Sequence, residues 1–600
     1  MHSRNAFGRF QTLCLFIVST FASPTVNAPQ GVDIGYGPNN RSIWIDGFDI
    51  YSDYTNNSVV PPGKLVEYEF TLSQQWVTPD GFPKFAQVVN GQYPGPTLEA
   101  NWGDTIRVTV HNNFTEDYNG TSIHWHGLRQ YQTNWLDGVS GVTQCPSKPL
   151  DTQVYEFRAM QYGTSWYHGH LSLQYSNGLY GPIVIHGPSS ANWDEDLGPW
   201  ALSDWYHADV FGLKWVGETT FLAALPDSFV LNGKGKFQDQ GELYEVVVRK
   251  NKTYKIGIIN TSTLLTYTFW IDGHNLTIIQ TDFVPIEPYT VSVLNIGIGQ
   301  RYEFIIETNA DLVNGTNFWV NAQYCAEPEL IPISNKVGII RYDAADTSDP
   351  YTPEDQHLDF GCADPEPKNL IPVVKQNVGT RINGIGPEDY LKLGQQAYPN
   401  ASDYPGTVRK WVIQETPQFV SWTEPSLWQY ATKSNVSLPP EAVPFILDYE
   451  TDEWVYFVIT SNYTLLPTDI PRNLTPSVHP MHLHGHDFNI LAQGDGEIPD
   501  EPVLNFENPA RRDVIDINIG GWAVIAFQIN NPGAWLFHCH IAFHSSAGLS
   551  LQFIEQPSKI KPLLERSGVL PEFDDRCKSW AKWYNTVNIP HNATIEDSGI

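Results

Sequence analysis

Two segments of this 600-residue chain recur at nearly constant offsets, and both carry histidines in HxH spacing. WYHGHLSLQYSNGLYGPIVI, starting at Trp166, corresponds to LFHCHIAFHSSAGLSLQFIE, starting at Leu536. A shift of 370 (536 minus 166) sets His168 on His538, His170 on His540, Gly169 on Cys539, Gln174 on His544, Gly178 on Gly548 and Leu179 on Leu549. A shift of 358 (482 minus 124) sets His124 and His126, in HWHG, on His482 and His484, in HLHG. Self-similarity at a fixed offset marks a repeated structural unit, so the first and last parts of the chain read as copies of one domain. The copies diverge at residue types that bind metal: the last has His479, Cys539 and His544 where the first has Thr121, Gly169 and Gln174.

Short runs such as TIRVTV, GPIVIHG, YKIGIIN, YEFIIE and VYFVIT are separated by Gly, Pro, Asn and Asp clusters, the pattern of strands and turns. Long helical periodicity is scarce, so the chain is expected to be all-β. At roughly 100 to 200 residues per domain the length allows several domains. Three are expected, over 29–188, 189–370 and 371–600, with the Pro- and Asp-rich stretch from Asp343 to Tyr404 read as a connection between bodies. A tail from Lys559, with a helix around RCKSWAKWY, is expected to lie back on the body through Cys577.

Lys and Arg number 35 against 66 Asp and Glu, a formal charge of -31, and no basic run interrupts it. Nucleic acid is excluded as a partner because its phosphates would be repelled over most of the surface. Arg4 and Arg9, then an apolar stretch from Leu13 to Ala22, then small residues at Ala22, Ser23 and Ala28, predict a signal peptide over 1–22 with cleavage as late as 28. The apolar stretch is half the ~20 residues that span a bilayer, so no membrane association is expected. The destination is extracellular, with the cell wall as one location, and thirteen N-x-S/T sequons suit that route. Of six cysteines Cys14 leaves with the signal, and five in an oxidising compartment leave one unpaired. Cys539, flanked by histidines on both sides, is the unpaired candidate, leaving four for two disulfides. A monomer is feasible.

Ten of the eighteen histidines fall in four clusters: His124/His126, His168/His170, His479/His482/His484 and His538/His540/His544. In a strand His538 and His540 point one way and Cys539 the other, so one segment can serve two metal sites. His479, Cys539 and His544 form a His2Cys set of the blue-copper kind. Leu549, ten residues past the cysteine, offers no axial donor, which predicts a fairly high reduction potential. Eight histidines remain, four from each outer domain, enough for three coppers held between the two domains, with Cys539 linking both sites through its neighbours.

HWHG, WYHGH, HPMHLHGHDF and HCHIAFHSSAGL resemble the four copper motifs of the multicopper oxidases, and the similarity covers essentially the whole mature chain. Within that family the chain looks like the laccases of ascomycete fungi, since HCHIA is followed by His544 and Leu549 and the chain stops at DSGI, resembling their C-terminal plug (597–600). The resemblance implies three consecutive cupredoxin-like Greek-key β-barrels and four coppers. It assigns His479, Cys539 and His544 to type 1 copper, His124 and His482 to type 2, and His126, His168, His170, His484, His538 and His540 to the type 3 pair. It also implies disulfides Cys145–Cys577 and Cys325–Cys362, and matches Asp137, in WLDGV, to an acidic residue that helps supply protons near the type 2 copper. Phe543 departs from the family's usual Trp, and nothing past DSGI implies a C-terminal maturation cut. His486 has no motif role and is read as a hydrogen-bonded structural histidine.

The function expected is laccase-like: one-electron oxidation of phenolic or related aromatic substrates at the type 1 copper, coupled to four-electron reduction of dioxygen to water. His544 or His479 is expected to admit the electron. Asp227, in LPDSFVLNGKG, and Glu242, in GELYEV, are both candidates for the phenolic proton. A dedicated phenol-coupling oxidase of a pigment or secondary-metabolite pathway is the alternative. A ferroxidase of the membrane-bound kind would need a transmembrane tail, and a copper-storage protein would not need the whole ligand set.

Overall fold

The computed structural model describes residues 38–600 apart from 116–119, 221–223, 313–314, 327–330, 332, 352–360, 380–385, 400–405, 466–477 and 588–597. The expected signal peptide and residue 597 of the plug lie outside the described residues.

Thr105–Asn112 alternates buried and half-exposed residues along its length, and Thr152–Arg158 alternates buried and exposed ones. Such strands have one face on a core and one toward water. With Leu65–Val77 and Lys84–Val89 they form a four-stranded sheet. A second four-stranded sheet runs in the order Leu98–Asn101, Tyr180–His186, Gly163–Gly169, Ile123–Trp125. The middle of the chain builds an eight-stranded and a five-stranded sheet, and the last part a six-stranded and a five-stranded one. The three sheet pairs are the cupredoxin-like domains of the sequence resemblance.

The repeat seen in the sequence is a repeat of topology. In the last domain the five-stranded sheet runs Pro444–Leu447, Ser550–Glu555, Gly533–Cys539, Val478–Leu483, Val514–Asn518. Its first four strands match the second sheet of the first domain in order. The first two strands pair in parallel in both copies and the rest antiparallel. The register also matches: His124 stands opposite His168, and His482 opposite His538. Gly163–Gly169 and Gly533–Cys539 are buried at every residue, since another part of the protein covers their second face.

The segment past Lys559 forms helices Pro557–Arg566 and Leu570–Val587. The second bonds to the first domain through Cys145–Cys577 and buries Phe573 and Trp580 among Val139, Val142, Trp422 and Leu564. Cys325–Cys362 closes a loop in the middle of the chain, and Cys539 is the free cysteine. Ser598 and Ile600 are buried, and the backbone of Ser598 bonds to Val420 and Ser546. Of the sequons, Asn260 is fully buried and donates its amide to Leu265 and Ile296 carbonyls, so folded protein cannot carry sugar there. Among the described residues no helix is long and apolar enough to cross a membrane.

Two features differ from the sequence expectation. A helix, Val210–Thr220, is inserted after strand Glu195–Trp205, with no apolar stripe to announce it: its buried residues are Val210, Lys214 and Glu218. The supposed connection after Asp343 also contributes to a core. Asp364 accepts from Arg512 at 3.3 Å and from the Asp516 amide at 2.8 Å. It ends a buried ionic chain in which Asp282 receives Arg512 Nε on one oxygen and the Arg301 amide on the other (2.9 and 2.8 Å), while the Arg301 guanidinium clasps Asp513 at 2.5 and 2.7 Å. Removing one partner of such a chain leaves an uncompensated buried charge, which costs about 3–5 kcal/mol. Asp282→Ala is therefore expected to lower the denaturation midpoint sharply, by that order of stability, in guanidinium titrations followed by tryptophan fluorescence. An unchanged midpoint would show that the chain contributes no net stability.

Candidate metal centres

Strands, the turns that follow them and the short helix Ala542–Ser545, which carries His544, deliver every cluster histidine to one of two places. Eight converge in a single buried centre between the first and last domains. His170, His484 and His538 form one trio whose ligating atoms lie within 4.8 Å of one another. His126, His168 and His540 form a second, with ring centroids 5.0 to 5.9 Å apart and His126 Nδ1 lying 3.2 Å from His540 Nε2. His124 and His482 complete the set, 5.9 Å apart between centroids.

The hydrogen bonds on the outer nitrogens fix which inner nitrogen carries a lone pair. His124 Nδ1–H donates to the Asp137 carbonyl (2.7 Å), His482 to the Asp513 carbonyl (2.9 Å), His538 to the Cys539 carbonyl (2.9 Å) and His168 to the Gly169 carbonyl (3.1 Å). His484 Nδ1–H donates to Asp137 Oδ2 at 2.9 Å. A neutral imidazole that donates through Nδ1 keeps a lone pair on Nε2. His124, His168 and His482 Nε2 accordingly point inward with no hydrogen-bond partner. His484 Nε2 and His538 Nε2 lie 3.3 Å apart although neither has a proton to offer the other. Burial and mutual repulsion drive His168, His482 and His484 far toward the neutral form and lower His538 to about 3. Several lone pairs crowded together without protons are the arrangement that cations resolve, so the donor set fits metal, and imidazole suits copper.

Asp137 ends the short 3-10 turn Asn134–Leu136, and its fully buried carboxylate touches both His124 and His484. It holds two imidazoles in their ligating tautomer, and its Oδ1 has no hydrogen-bond partner. Asp513 orients His482 through its carbonyl, and its carboxylate lies 3.5 Å from His126 Nε2. Sequence reasoning missed Asp513 because nothing in PARRDV distinguishes it until the Arg301 clasp is seen. Across the interface, Asn134 exchanges two 3.0 Å hydrogen bonds with Ala534, and Tyr175 donates to the His540 carbonyl at 2.9 Å.

On the far side of the strand, Cys539 Sγ lies 3.7 Å from His479 Nδ1 and 3.6 Å from His544 Nδ1. Cys539 is wholly buried while His479 and His544 keep 3% and 4% of their surface, so only imidazole edges can meet a partner molecule. Burial pushes the Cys539 thiol far up and lowers His479 to about 4. A buried thiol so reluctant to ionise becomes a thiolate when a metal displaces its proton. Leu549 is buried and accepts the Cys539 amide through its carbonyl. Trp411 stacks on His544 at 3.8 Å and meets His479 edge-on at 5.1 Å. This tryptophan carries no motif and was not foreseen.

The remaining candidates stand apart from this pair of imidazoles. Asp227 accepts the His207 amide at 2.8 Å, within a group where His207 Nε2 meets Asp80 at 2.7 Å. Its amide bonds to Trp205, the neighbour of Tyr206, whose ring packs on Phe543 at 5.9 Å beside His544. Glu242 is exposed and lies 3.8 Å from Lys234. Among the described residues neither carboxylate hydrogen-bonds to His479 or His544. His486 bonds to Glu555 at 2.7 Å, away from both centres.

Models of the family described as multicopper oxidase match residues 73–190, 196–345 and 412–559. The oxidoreductase tpcJ of Aspergillus fumigatus is 59% identical over 595 residues, covering 96% of this chain and 98% of its own. The dihydrogeodin oxidase of Aspergillus terreus is 56% identical over 594 residues, covering 97% and 98%. A laccase from Botrytis aclada has a similar crystal structure, with a TM-score of 0.80 at 34% identity, covering 94% of this chain and 99% of that one.

Gly299 touches the eight-histidine centre with backbone alone. Its φ is +85°, and an added Cβ would stand 2.9 Å from His540 and 3.0 Å from His126. Gly299→Ala is expected to cost about 1–3 kcal/mol from its dihedral and to lower bound copper per chain, measured by elemental analysis, while the Cys539 site stays loaded. Full occupancy of both centres would show that the histidines are not held this tightly.

Proposed function

The chain belongs to the multicopper oxidase family, and from that premise we propose that it takes electrons singly from a phenolic aromatic substrate and delivers four of them to dioxygen, forming water. Four coppers are proposed, one at His479, Cys539 and His544 and three among the eight histidines. The observation that carries this reading is the position of Cys539 between the two centres. Its side chain joins one, and its peptide neighbours His538 and His540 belong to the other.

Bound copper supplies reversible one-electron storage at the cysteine site and multi-electron reduction of dioxygen at the cluster. The chain supplies the rest. His544 and His479 offer the imidazole edges that a substrate ring can approach, and Trp411 holds the His544 ring in place. Cys539 and its flanking peptides give electrons a covalent route inward. Asp137 keeps His124 and His484 oriented, and its free Oδ1 can hold a proton beside the centre where water forms. Asp227 is favoured over Glu242 for the phenolic proton because its amide bonds to the carbonyl of Trp205, next to Tyr206, whose ring packs on Phe543 beside His544, whereas Glu242 faces Lys234 in solvent.

Within this chemistry a dedicated phenol-coupling oxidase is supported over a broad laccase. A relative named for one compound, dihydrogeodin, shares 56% of its residues over nearly the whole chain, while the laccase of known structure shares 34%. Secretion belongs to the same proposal, supported by the N-terminal segment and the two disulfides.

Copper-loaded protein is expected to show an intense blue thiolate-to-copper band that bleaches under anaerobic reduction and returns with air. Cys539→Ser should abolish the band and the oxidase activity together, and its persistence would remove the cysteine assignment. Among substrates, one elaborate natural phenol should be turned over far faster than simple phenols. Equal kcat/KM across simple phenols would return the reading to a broad laccase.

A further inference from the structure

His207 follows strand Glu195–Trp205 and has a carboxylate at each end of its ring. Its Nε2 lies 2.7 Å from Asp80 Oδ2, and its Nδ1 lies 3.7 Å from Asp227 Oδ1. Asp80 is wholly buried and also accepts Ser228 Oγ at 2.5 Å and the Phe82 amide at 3.0 Å. Aromatic neighbours hold the imidazole in place: Phe82 stacks on it at 3.9 Å, and Phe237 meets it edge-on at 4.5 Å. The loop that carries Asp80 is pinned in turn, since the carbonyls of Asp80 and Pro79 accept the Phe237 and Gly235 amides at 3.1 and 3.0 Å.

A carboxylate has no proton to give, so His207 donates through Nε2 to Asp80. In the neutral ring this leaves the Nδ1 lone pair facing Asp227. Asp227 is itself steered toward the ring, because its Oδ2 accepts the His207 amide at 2.8 Å. The 3.7 Å gap between Nδ1 and Oδ1 is longer than a hydrogen bond, but contacts of this kind are often long until substrate binds. Asp227 keeps 38% of its side-chain surface and His207 keeps 10%. One part-exposed carboxylate therefore has an imidazole acceptor behind it, and a buried carboxylate stands behind that.

We propose that His207 carries the phenolic proton onward from Asp227. This rests on the reading of Asp227 as the proton acceptor and adds the group that empties it. Four one-electron oxidations accompany each dioxygen reduced, so an acceptor beside the substrate must be cleared four times per cycle. The phenol O–H bond breaks and its proton passes to Asp227, while the electron leaves by the imidazole edge of His544 or His479. The Asp227 carboxyl then gives the proton to His207 Nδ1, forming an imidazolium between two carboxylates, and water at the part-exposed ring removes it. His207 touches no substrate and is a positioning residue that acts through Asp227. The other charge facing this group is Lys84, whose ammonium stands 4.5 Å over the Trp205 ring and feels Asp80, Asp204, Asp209 and Asp227. Burial lowers it to about 8, so it stays protonated across the acid range in which the relay is read. Phe82 and Phe237 bring no charge.

The test uses copper-loaded protein and two electron donors: 2,6-dimethoxyphenol, which must lose a proton with its electron, and ferrocyanide, which loses an electron alone. The ratio of their kcat values removes every step the two share. In wild type that ratio is expected to fall with pH as acid fills His207 and Asp227. His207→Gln should remove the histidine limb from this profile and lower phenol kcat about tenfold, less than the ~100-fold or more of a base in contact with substrate, with phenol KM and ferrocyanide kcat nearly unchanged. Asp80→Asn removes a charge that favours the imidazolium, so the same limb should move to lower pH, and this variant decides the matter if His207→Gln does not fold. An unchanged ratio and profile in His207→Gln, an equal loss with both donors, or an unmoved limb in Asp80→Asn would overturn the relay. Asp227→Asn separates the relay from its premise: it should lose phenol activity too, and adding His207→Gln should cost nothing further. Full phenol activity in Asp227→Asn would overturn the reading of Asp227, whereas a loss there with none in His207→Gln would overturn the relay alone.

Discussion

Eight neutral imidazoles buried within a few ångströms of one another set the constraint to which the rest of the protein conforms. An imidazole presents a chosen lone pair to the centre when its other nitrogen keeps the proton, and for His124, His168, His482 and His538 the carbonyls of Asp137, Gly169, Asp513 and Cys539 hold that proton in a hydrogen bond. Those carbonyls must be held rigidly, which draws further groups inward. Asp513 is clasped by Arg301, Arg301 needs Asp282, and Asp282 needs Arg512, which reaches Asp364. Isolated, any of these charges would be costly to bury. Linked, they carry the orientation of His482 and His126 outward through the middle domain to a segment far away in sequence. The demand for ligand geometry at one point thus explains an ionic core that hydrophobic packing alone would not produce.

Duplication supplied the symmetry of the centre, and divergence supplied its second site. In the last domain His479 and His544 stand beside Cys539 with open ligating nitrogens. In the first, Thr121 and Gln174 occupy the equivalent places and hydrogen-bond to each other at 2.9 Å. Gly169 stands for the cysteine, and a Cβ added there would meet Leu179 at 2.7 Å and Gln174 at 3.0 Å. The side chains have closed over the space, so the first copy cannot hold a second thiolate site. It still contributes His124, His126, His168 and His170 because those face the shared interface. One template therefore serves two purposes according to which face of the strand has kept its ligands.

The parts that were legible in the sequence are those with short-range signatures. HxH spacing on a strand, alternation in TIRVTV and the 358 and 370 offsets each follow from local periodicity, and together they locate the barrels and bring the ligands near one another. The rest depends on contacts distant in sequence. Asp513 and Arg301 are 212 residues apart, and Trp411 and His544 have no spacing rule. Helix Val210–Thr220 escaped notice because its buried face reads Val210, Lys214, Glu218, whereas helical patterning is recognised by an apolar stripe. The Asp343–Tyr404 region read as linker because Pro and Asp suggest one, yet the Asp364 side chain within it is buried against Arg512.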